Sequence, residues 1–413
     1  MYKGSDFSFH IMEMRCFMPI ELAKGVYWVG VTDWGIRRFH GFELSVHRGT
    51  TYNSYLIKDE KIALVDTVWS PHSEEFLARV RELVDPAKID YVVVNHSEPD
   101  HSSSLPALMK LCPNAQVVVS KNGASSVPGH FHEKWNFKVV KTGDRISLGK
   151  NELIFVEAPM LHWPDSMFSY LTGEQILMPN DAFGQHYATA FLFNDLVNQD
   201  ELFEEALKYY ANILTPYSDK ILKKIDDVLA LNLPVKMIAP SHGVIWRKDP
   251  LQIVAKYQEW ARQKPAPSAV IVYDTMWNST ERMAKAISEG LIEAGIDSKV
   301  FHAAATDSND LMVEIFKSKL IVLGSSTHNN GILPSMAKIL EEMRGLRFKN
   351  KIGAAFGSYG WSGESVKEIE EVFRRAAIPL ARPGIKVKWH PGEEDLKLCR
   401  AYGRELAISV KEG

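Results

Sequence analysis

The stretch that most constrains the fold is His96-Ser97-Glu98-Pro99-Asp100-His101. It follows Tyr91-Val92-Val93-Val94, an apolar, β-branched run that reads as a buried strand. Where that strand stops, side chains able to bind a metal crowd into six positions. In extended backbone, residues two apart share a face, so His96, Glu98 and Asp100 are expected to converge on one side. His101 breaks the alternation and must arrive from another direction. Pro99 fixes its own φ and disfavours helical backbone at Glu98, so the stretch is expected to stay open.

Length and composition frame that loop. A chain of 413 residues exceeds one common domain. Its 46% apolar and 24% charged residues are the make-up of a globular protein. A net charge of −3 gives no basic footprint for nucleic acid and no polybasic surface for membranes. No apolar run is long enough to span a bilayer, and Asp6, His10, Glu13 and Arg15 interrupt any signal-peptide core. A cytoplasmic protein with neither nucleic-acid nor membrane partners is expected. The three cysteines, Cys16, Cys112 and Cys399, form no C-x-x-C pair. That argues against a disulfide framework and against a cysteine-held iron centre within the chain.

Residues 1–20 read as an N-terminal extension. Strands are expected at 26–29, 51–57, 62–66, 115–119, 137–140 and 152–156, and helices from 73, at 200–212 and at 218–229. Strands, some helices, more strands and then helices describe an α/β sandwich over residues 21–263. Gln263-Lys264-Pro265-Ala266-Pro267-Ser268 reads as a short, stiff linker. Beyond it, over 264–413, strands at 269–273, 299–301, 320–324, 352–356 and 385–389 each precede a helical segment. Regular alternation of this kind predicts a doubly wound, five-stranded parallel sheet.

Three further stretches place potential ligands just past strand-like segments: Leu161-His162-Trp163-Pro164, Pro179-Asn180-Asp181-Ala182-Phe183-Gly184 and Pro240-Ser241-His242-Gly243. Each alone is weak, because a histidine near a strand end is commonly structural. Together with the hexapeptide they point to a metal centre. The pattern resembles the metallo-β-lactamase fold, whose hydrolytic members carry H-x-H-x-D-H where this chain has H-x-E-x-D-H. The hard oxygen of Glu98 shifts preference from zinc towards iron or manganese. With L-H-W-P-D-S, N-D-A-F-G-Q-H and S-H-G, the chain resembles the flavodiiron proteins, or A-type flavoproteins, from about Val26 onwards.

That resemblance implies a metallo-β-lactamase-like αβ/βα sandwich holding two iron ions, followed by a flavodoxin-like domain. His96, Glu98 and His162 would complete one metal, Asp100 and His242 the other, with Asp181 as the bridge. In some members the histidine matching His101 ligates the second iron, and in others it stands off with solvent between; both roles stay open. His40, in Arg37-Arg38-Phe39-His40-Gly41, resembles a histidine behind the ligands that could supply a proton.

The second domain carries a cradle of its own. Asp274-Thr275-Met276-Trp277-Asn278-Ser279-Thr280 follows the strand at 269–273 and opens a helix expected from Glu281. Backbone N–H groups at a helix start, with the hydroxyls of Thr275, Ser279 and Thr280, make a phosphate nest. The loop has neither a P-loop lysine nor a G-x-G-x-x-G, so a single phosphate monoester such as that of FMN suits it best. An ordinary Ser/Thr helix cap is the competing reading. Ser325-Ser326-Thr327-His328-Asn329-Asn330-Gly331 and Ser358-Tyr359-Gly360-Trp361-Ser362-Gly363 end the next two central strands. The three loops together resemble the FMN site of flavodoxins. Tyr359 and Trp361 are candidates to flank the isoalloxazine, and Gly360 and Gly363 allow close approach. His328 stands where many relatives have an apolar residue.

The resemblance implies reduction of dioxygen to water, of nitric oxide to nitrous oxide, or of both. Two ferrous ions and a reduced flavin together hold the four electrons that dioxygen needs. It further implies rubredoxin or a similar small carrier as electron donor, and a head-to-tail homodimer or a dimer of such dimers. The competing readings are a dizinc hydrolase with an accessory flavin module, an electron-transfer flavoprotein with a relic metal fold, and a gas-sensing protein. Glu98 opposes the first and a complete ligand set opposes the second.

Overall fold

The computed structural model describes residues 18–39 and 44–412. The chain divides into two compact units. One runs to Tyr209 and resumes over Asp219–Gln258; the other combines Tyr210–Ser218 with Glu259–Gly413. The expected N-terminal extension falls almost wholly outside the described residues, and Ile20 already belongs to a strand.

In the first unit two sheets face each other. The seven-stranded sheet runs in chain order: β1 (Ile20–Ala23), β2 (Val26–Trp28), β3 (Tyr55–Lys58), β4 (Ile62–Val65), β5 (Ile89–Val94), β6 (Gln116–Ser120) and β7 (Phe137–Val140). Neighbours from β1 to β4 are antiparallel, and those from β4 to β7 are parallel. The five-stranded sheet holds β8 (Arg145–Ser147), β9 (Glu152–Glu157), β10 (Met167–Leu171), β11 (Ile176–Met178) and β12 (Met237–Ile238). Tyr55, Val93 and Val118 from one sheet share a buried cluster with Phe155, Met167 and Ile176 from the other. The crossover from β4 to its parallel neighbour β5 runs through the helix Ser73–Leu83, which buries Phe76, Leu77 and Val80. Parallel pairing sets the carboxyl ends of β4, β5 and β6 along one edge. That edge carries Asp66, the hexapeptide and Ser120.

Three expectations need correction here. The single strand expected at 51–57 is two: Thr50–Tyr52 pairs with Val31–Asp33, and only Tyr55–Lys58 joins the large sheet. The break lies at buried Asn53, whose N–H donates to Ser241 O and whose side chain donates to Pro240 O and Gly243 O. The helix expected at 200–212 stops at Tyr209 and widens into a π-helical turn over Tyr210–Leu214. There the Thr215 hydroxyl donates back to Ala211 O, a contact that competes with regular helix. Lastly, the hexapeptide is extended only as far as Glu98, as described below.

The second unit is an all-parallel five-stranded sheet, with β13 (Ala266–Asp274), β14 (Ser298–His302), β15 (Ser318–Ser326), β16 (Ile352–Tyr359) and β17 (Ile385–Lys388) in the order β14-β13-β15-β16-β17. This is the doubly wound order whose switch point lies at the carboxyl ends of β13 and β15. Ile271, Val322 and Phe356 share one core with Ile287 and Leu406 from the helices Ser279–Glu293 and Glu393–Glu412. The stretch read as a linker is partly sheet, since β13 begins at Ala266. Its Pro267 falls at a register shift between Ala266 and Ala269, where a missing donor does least harm. Among the described residues, no helix is long and apolar enough to cross a membrane.

Candidate metal centre and phosphate-binding loops

Glu98 has extended backbone, φ −56° and ψ 138°, as expected of a residue before proline. Pro99 then opens a single helical turn, Pro99–Ser102, in which the Ser102 hydroxyl donates to Glu98 O and Ser97 O. Proline suits the first position of a helix because the N–H it lacks would have no partner there. So strand-like backbone delivers His96 and Glu98, whereas a helical turn delivers Asp100 and His101. The expected alternation through Asp100 does not occur.

Together the two pieces bring His96, Glu98, Asp100 and His101 to His162, Asp181 and His242. His96 Nε2 lies 3.1 Å from Glu98 Oε2, and His162 Nε2 lies 3.3 Å from Glu98 Oε2 and 3.3 Å from Asp181 Oδ2. The other Asp181 oxygen, Oδ1, is 2.8 Å from His101 Nε2 and 3.7 Å from His242 Nε2. Asp100 Oδ2 sits between those two imidazoles, 2.9 Å from His101 and 3.0 Å from His242. Two groups result, His96–Glu98–His162–Asp181 and Asp100–His101–His242, and the ligating atoms within each lie within 4.8 Å of one another. Asp181 turns one oxygen to each group.

The groups behind these side chains come from strand ends. Asp66, in left-handed backbone at φ 56°, accepts from Asn95 N and from the side chains of Asn95 and Asn180. It thereby ties the start of the hexapeptide to the residue before Asp181. His242 Nδ1 lies 2.6 Å from Thr51 O, and Gly243 N donates to Thr51 Oγ1. Gly243 has φ 73°, and a Cβ there would lie 1.8 Å from Gln185 Oε1, so no other residue fits after His242. His96 Nδ1 lies 3.2 Å from Asp165 Oδ1. Phe39, Tyr52 and Tyr209 ring His242 at centroid distances of 5.5, 6.0 and 6.4 Å, and Trp163 stands 5.1 Å from His96.

The electrostatics are those of a charge cluster out of water. His96, His101, Asp181 and His242 are at most 2% exposed. Burial alone would push His96 and His162 down, but hydrogen bonds with Asp165, Glu98 and Asp181 outweigh it, holding them at about 10 and about 9. Burial would push Asp181 and Asp100 up; the imidazoles, His101 foremost, hold both well below the usual carboxylate range. Burial raises Asp66 to about 6. The imidazoles thus supply the positive charge that the carboxylates require. Asp100 Oδ1 and His101 Nδ1 are buried without a hydrogen-bond partner, and His101 Nε2 and Asp181 Oδ2 face only other members of the cluster. Orphaned donor atoms of this kind, converging from nitrogen and oxygen ligands, fit a pair of metal cations. His40 lies outside the described residues.

In the second unit the phosphate-type loop runs from Thr275 to Asn278, and the helix starts at Ser279, two residues before Glu281. Asn278 stands before it at φ 62°. Asp274 clamps the loop: it accepts from Thr275 N and from the Ser335 hydroxyl, and lies 3.2 Å from His302 Nε2. Three hydroxyls from three loops form a triangle. Thr280 Oγ1 is 2.9 Å from Ser326 Oγ and 2.8 Å from Ser358 Oγ, and those two are 3.1 Å apart. Ser279 is turned instead towards His390 Nδ1, at 3.2 Å. Thr275 Oγ1 is buried with no hydrogen-bond partner, a polar atom that suits a polyoxygen ligand. Thr327 Oγ1 donates to Ser365 and so braces the second loop. His328 and Gly331 exchange backbone hydrogen bonds around Asn329 and Asn330, both at positive φ, which makes a two-residue hairpin. Trp277 and Trp361 are 82% exposed and Met276 is 51% exposed. Tyr359 is half-buried beneath the Lys386 ammonium, 5.4 Å from its ring. Gly360 and Gly363 lie against Trp389 and Tyr359 respectively. The unpaired Thr275 hydroxyl, the hydroxyl triangle and the aromatics fit a flavin mononucleotide.

Asp165 and Asp66 escaped the reading of the chain. Asp165 stands inside the L-H-W-P-D-S stretch and Asp66 ends the strand at 62–66, so position alone could have marked both.

Residues 50–243 match the family described as ODP family beta lactamase, and residues 271–403 match Flavodoxin. A nitric oxide reductase from Moorella thermoacetica is 50% identical over 396 residues, covering 95% of this chain and 99% of that protein. The anaerobic nitric oxide reductase flavorubredoxin of Escherichia coli K12 is 48% identical, covering 94% of this chain and 82% of its own length. The structure of rubredoxin oxygen:oxidoreductase from Desulfovibrio gigas superposes with a TM-score of 0.93 at 40% identity, covering 95% of this chain and 99% of that one. The flavodiiron protein from Giardia intestinalis gives 0.90 at 34% identity, covering 95% and 98%. With both domain families matched in order and relatives aligned along nearly its whole length, this chain belongs to the flavodiiron proteins.

Proposed function

We propose that this protein reduces nitric oxide to nitrous oxide, dioxygen to water, or both. Iron would be held by His96, Glu98 and His162 on one side of Asp181 and by Asp100, His101 and His242 on the other. FMN would sit in the loops 275–280, 326–331 and 358–363. The observation that supports this most is the placement of Asp181, whose two oxygens face two separate imidazole pairs. Iron held there would supply electrons and Lewis acidity, and FMN held in the loops would supply a two-electron store. The chain's own residues bind and orient: Thr51 and Asp165 hold imidazole rings in place, and Phe39, Tyr52 and Tyr209 exclude water beside His242.

His101, open in its role from sequence, lies 2.8 Å from Asp181 and 2.9 Å from Asp100, which supports a ligand role. The relatives named nitric oxide reductase favour nitric oxide, and the one named rubredoxin oxygen:oxidoreductase favours dioxygen and a rubredoxin-type donor. The family resemblance also supports a cytoplasmic head-to-tail homodimer.

The test is anaerobic turnover of reduced, iron-loaded protein with each gas, comparing kcat/KM. Consumption of at least one gas is expected, and failure to consume either with iron and FMN bound would refute the reading. Zinc retained in place of iron would favour the hydrolase. Dilution to monomer should stop flavin-to-iron electron transfer with both cofactors still bound, so full turnover by a verified monomer would refute the dimer.

A further inference from the structure

Three of the four imidazoles of the candidate metal centre are backed in different ways. His96 Nδ1 faces a carboxylate, Asp165 Oδ1, at 3.2 Å. His242 Nδ1 faces a neutral backbone carbonyl, Thr51 O, at 2.6 Å. His101 Nδ1 is buried with no hydrogen-bond partner.

Asp165 is held firmly. It is 3% exposed, its Oδ2 accepts from Ser97 N at 2.7 Å and from the Ser126 hydroxyl at 3.3 Å, and its own carbonyl accepts from the Ser120 hydroxyl at 2.7 Å. Those contacts come from the hexapeptide, from β6 and from the helix Gly123–Phe131, so Asp165 cannot turn away. A carboxylate only accepts, so it can face His96 Nδ1 only if that nitrogen carries the proton. In the neutral ring that a metal binds, Nε2 is then the bare nitrogen, and Nε2 is the atom aimed at Glu98 and Asp181. A histidine backed by a carboxylate is also the stronger ligand.

We propose that Asp165 is a positioning residue that dictates which nitrogen His96 offers, and that it makes the His96–Glu98–His162 half of the centre the tighter metal-binding half. This rests on the reading that the cluster holds two metals.

The test is an anaerobic titration of cobalt(II) into the metal-stripped full chain with FMN bound, followed by absorption and calorimetry. The wild type should bind two ions in two resolved steps. Asp165→Asn keeps the shape but must present its NH₂ group either to His96 Nδ1 or to Ser97 N–H, where donor meets donor. The tighter step should weaken roughly ten- to a hundredfold, with the weaker step and the metal-free melting temperature little changed. Asp165→Ser, which leaves room for a water that can donate or accept, should weaken the same step by about tenfold. Unchanged steps in either folded variant would overturn the proposal, and so would equal weakening of both steps with a lowered melting temperature, which marks a merely structural role. A wild type that binds no pair of ions would overturn the underlying metal reading instead.

Discussion

The two candidate sites are built on opposite principles. The metal cluster gathers ionisable side chains at strand ends and buries them, with His96 fully enclosed. The flavin loops gather hydroxyls and backbone, and leave Trp277 and Trp361 82% exposed. One site stores charge in a fixed lattice of imidazoles and carboxylates. The other offers neutral donors on loops set by the order of five parallel strands. A charge lattice fails when a single member goes, whereas a hydroxyl cradle should degrade by steps.

The largest effect expected is that of Asp181→Ala, which removes the one side chain among the described residues that faces both imidazole groups. Gas reduction should fall below detection while chemical reduction of the flavin is unchanged; turnover retained by an iron-loaded variant would break the contrast. Next comes pH. Metals bind neutral imidazole, so cations must displace protons from His96 and His162, held at about 10 and about 9 in the metal-free protein. Both values are raised, so between pH 6 and 8 metal affinity should climb with pH, by up to about a hundredfold per unit if both protons leave. Calorimetry in buffers of different ionisation enthalpy reads the proton release, and a flat profile would show that these rings carry no displaceable proton. FMN affinity over the same range should move far less.

In the cradle, Thr280→Val removes the hydroxyl that touches both Ser326 and Ser358. A charge-assisted hydrogen bond contributes about 1.5–3 kcal/mol, so FMN should bind roughly ten- to a hundredfold more weakly, with iron content unaltered. The smallest expected change is that of Trp361→Ala. An exposed stacking partner contributes about 0.5–1.5 kcal/mol, which is a few-fold to about tenfold in FMN dissociation constant by fluorescence quenching. A loss larger than that of Thr280→Val would reverse the ranking and place the grip on the ring rather than the phosphate end.

The same contrast explains what could be read before folding. His96, Glu98, Asp100, His162, Asp181 and His242 are residue types that chemistry marks wherever they fall, and each follows an apolar run. Five strands alternating with helices likewise announce a parallel sheet. Three things stayed hidden for physical reasons. Pro99 is compatible both with extended chain and with the first residue of a helix, and only the packed turn decides between them. The break at Asn53 depends on carbonyls of Pro240 and Gly243, far away in sequence. Asp165 looks like any loop carboxylate until His96 is placed beside it. In the second unit, hydroxyls are common at helix starts, so the meeting of Thr280, Ser326 and Ser358 emerges only from the strand order.

The junction between Glu98 and Pro99 has a consequence for how this chain tolerates changes of length. Glu98 closes one metal group, and the turn starting at Pro99 carries two members of the other, so their relative bearing is fixed by one peptide unit. A residue inserted after Pro99 would swing Asp100 and His101 by about 100° around the turn. Both would then point away from His242, while His96 and Glu98 stayed where they are. Loops elsewhere on the same sheet can lengthen at little cost, but at this joint the residue count itself is part of the site.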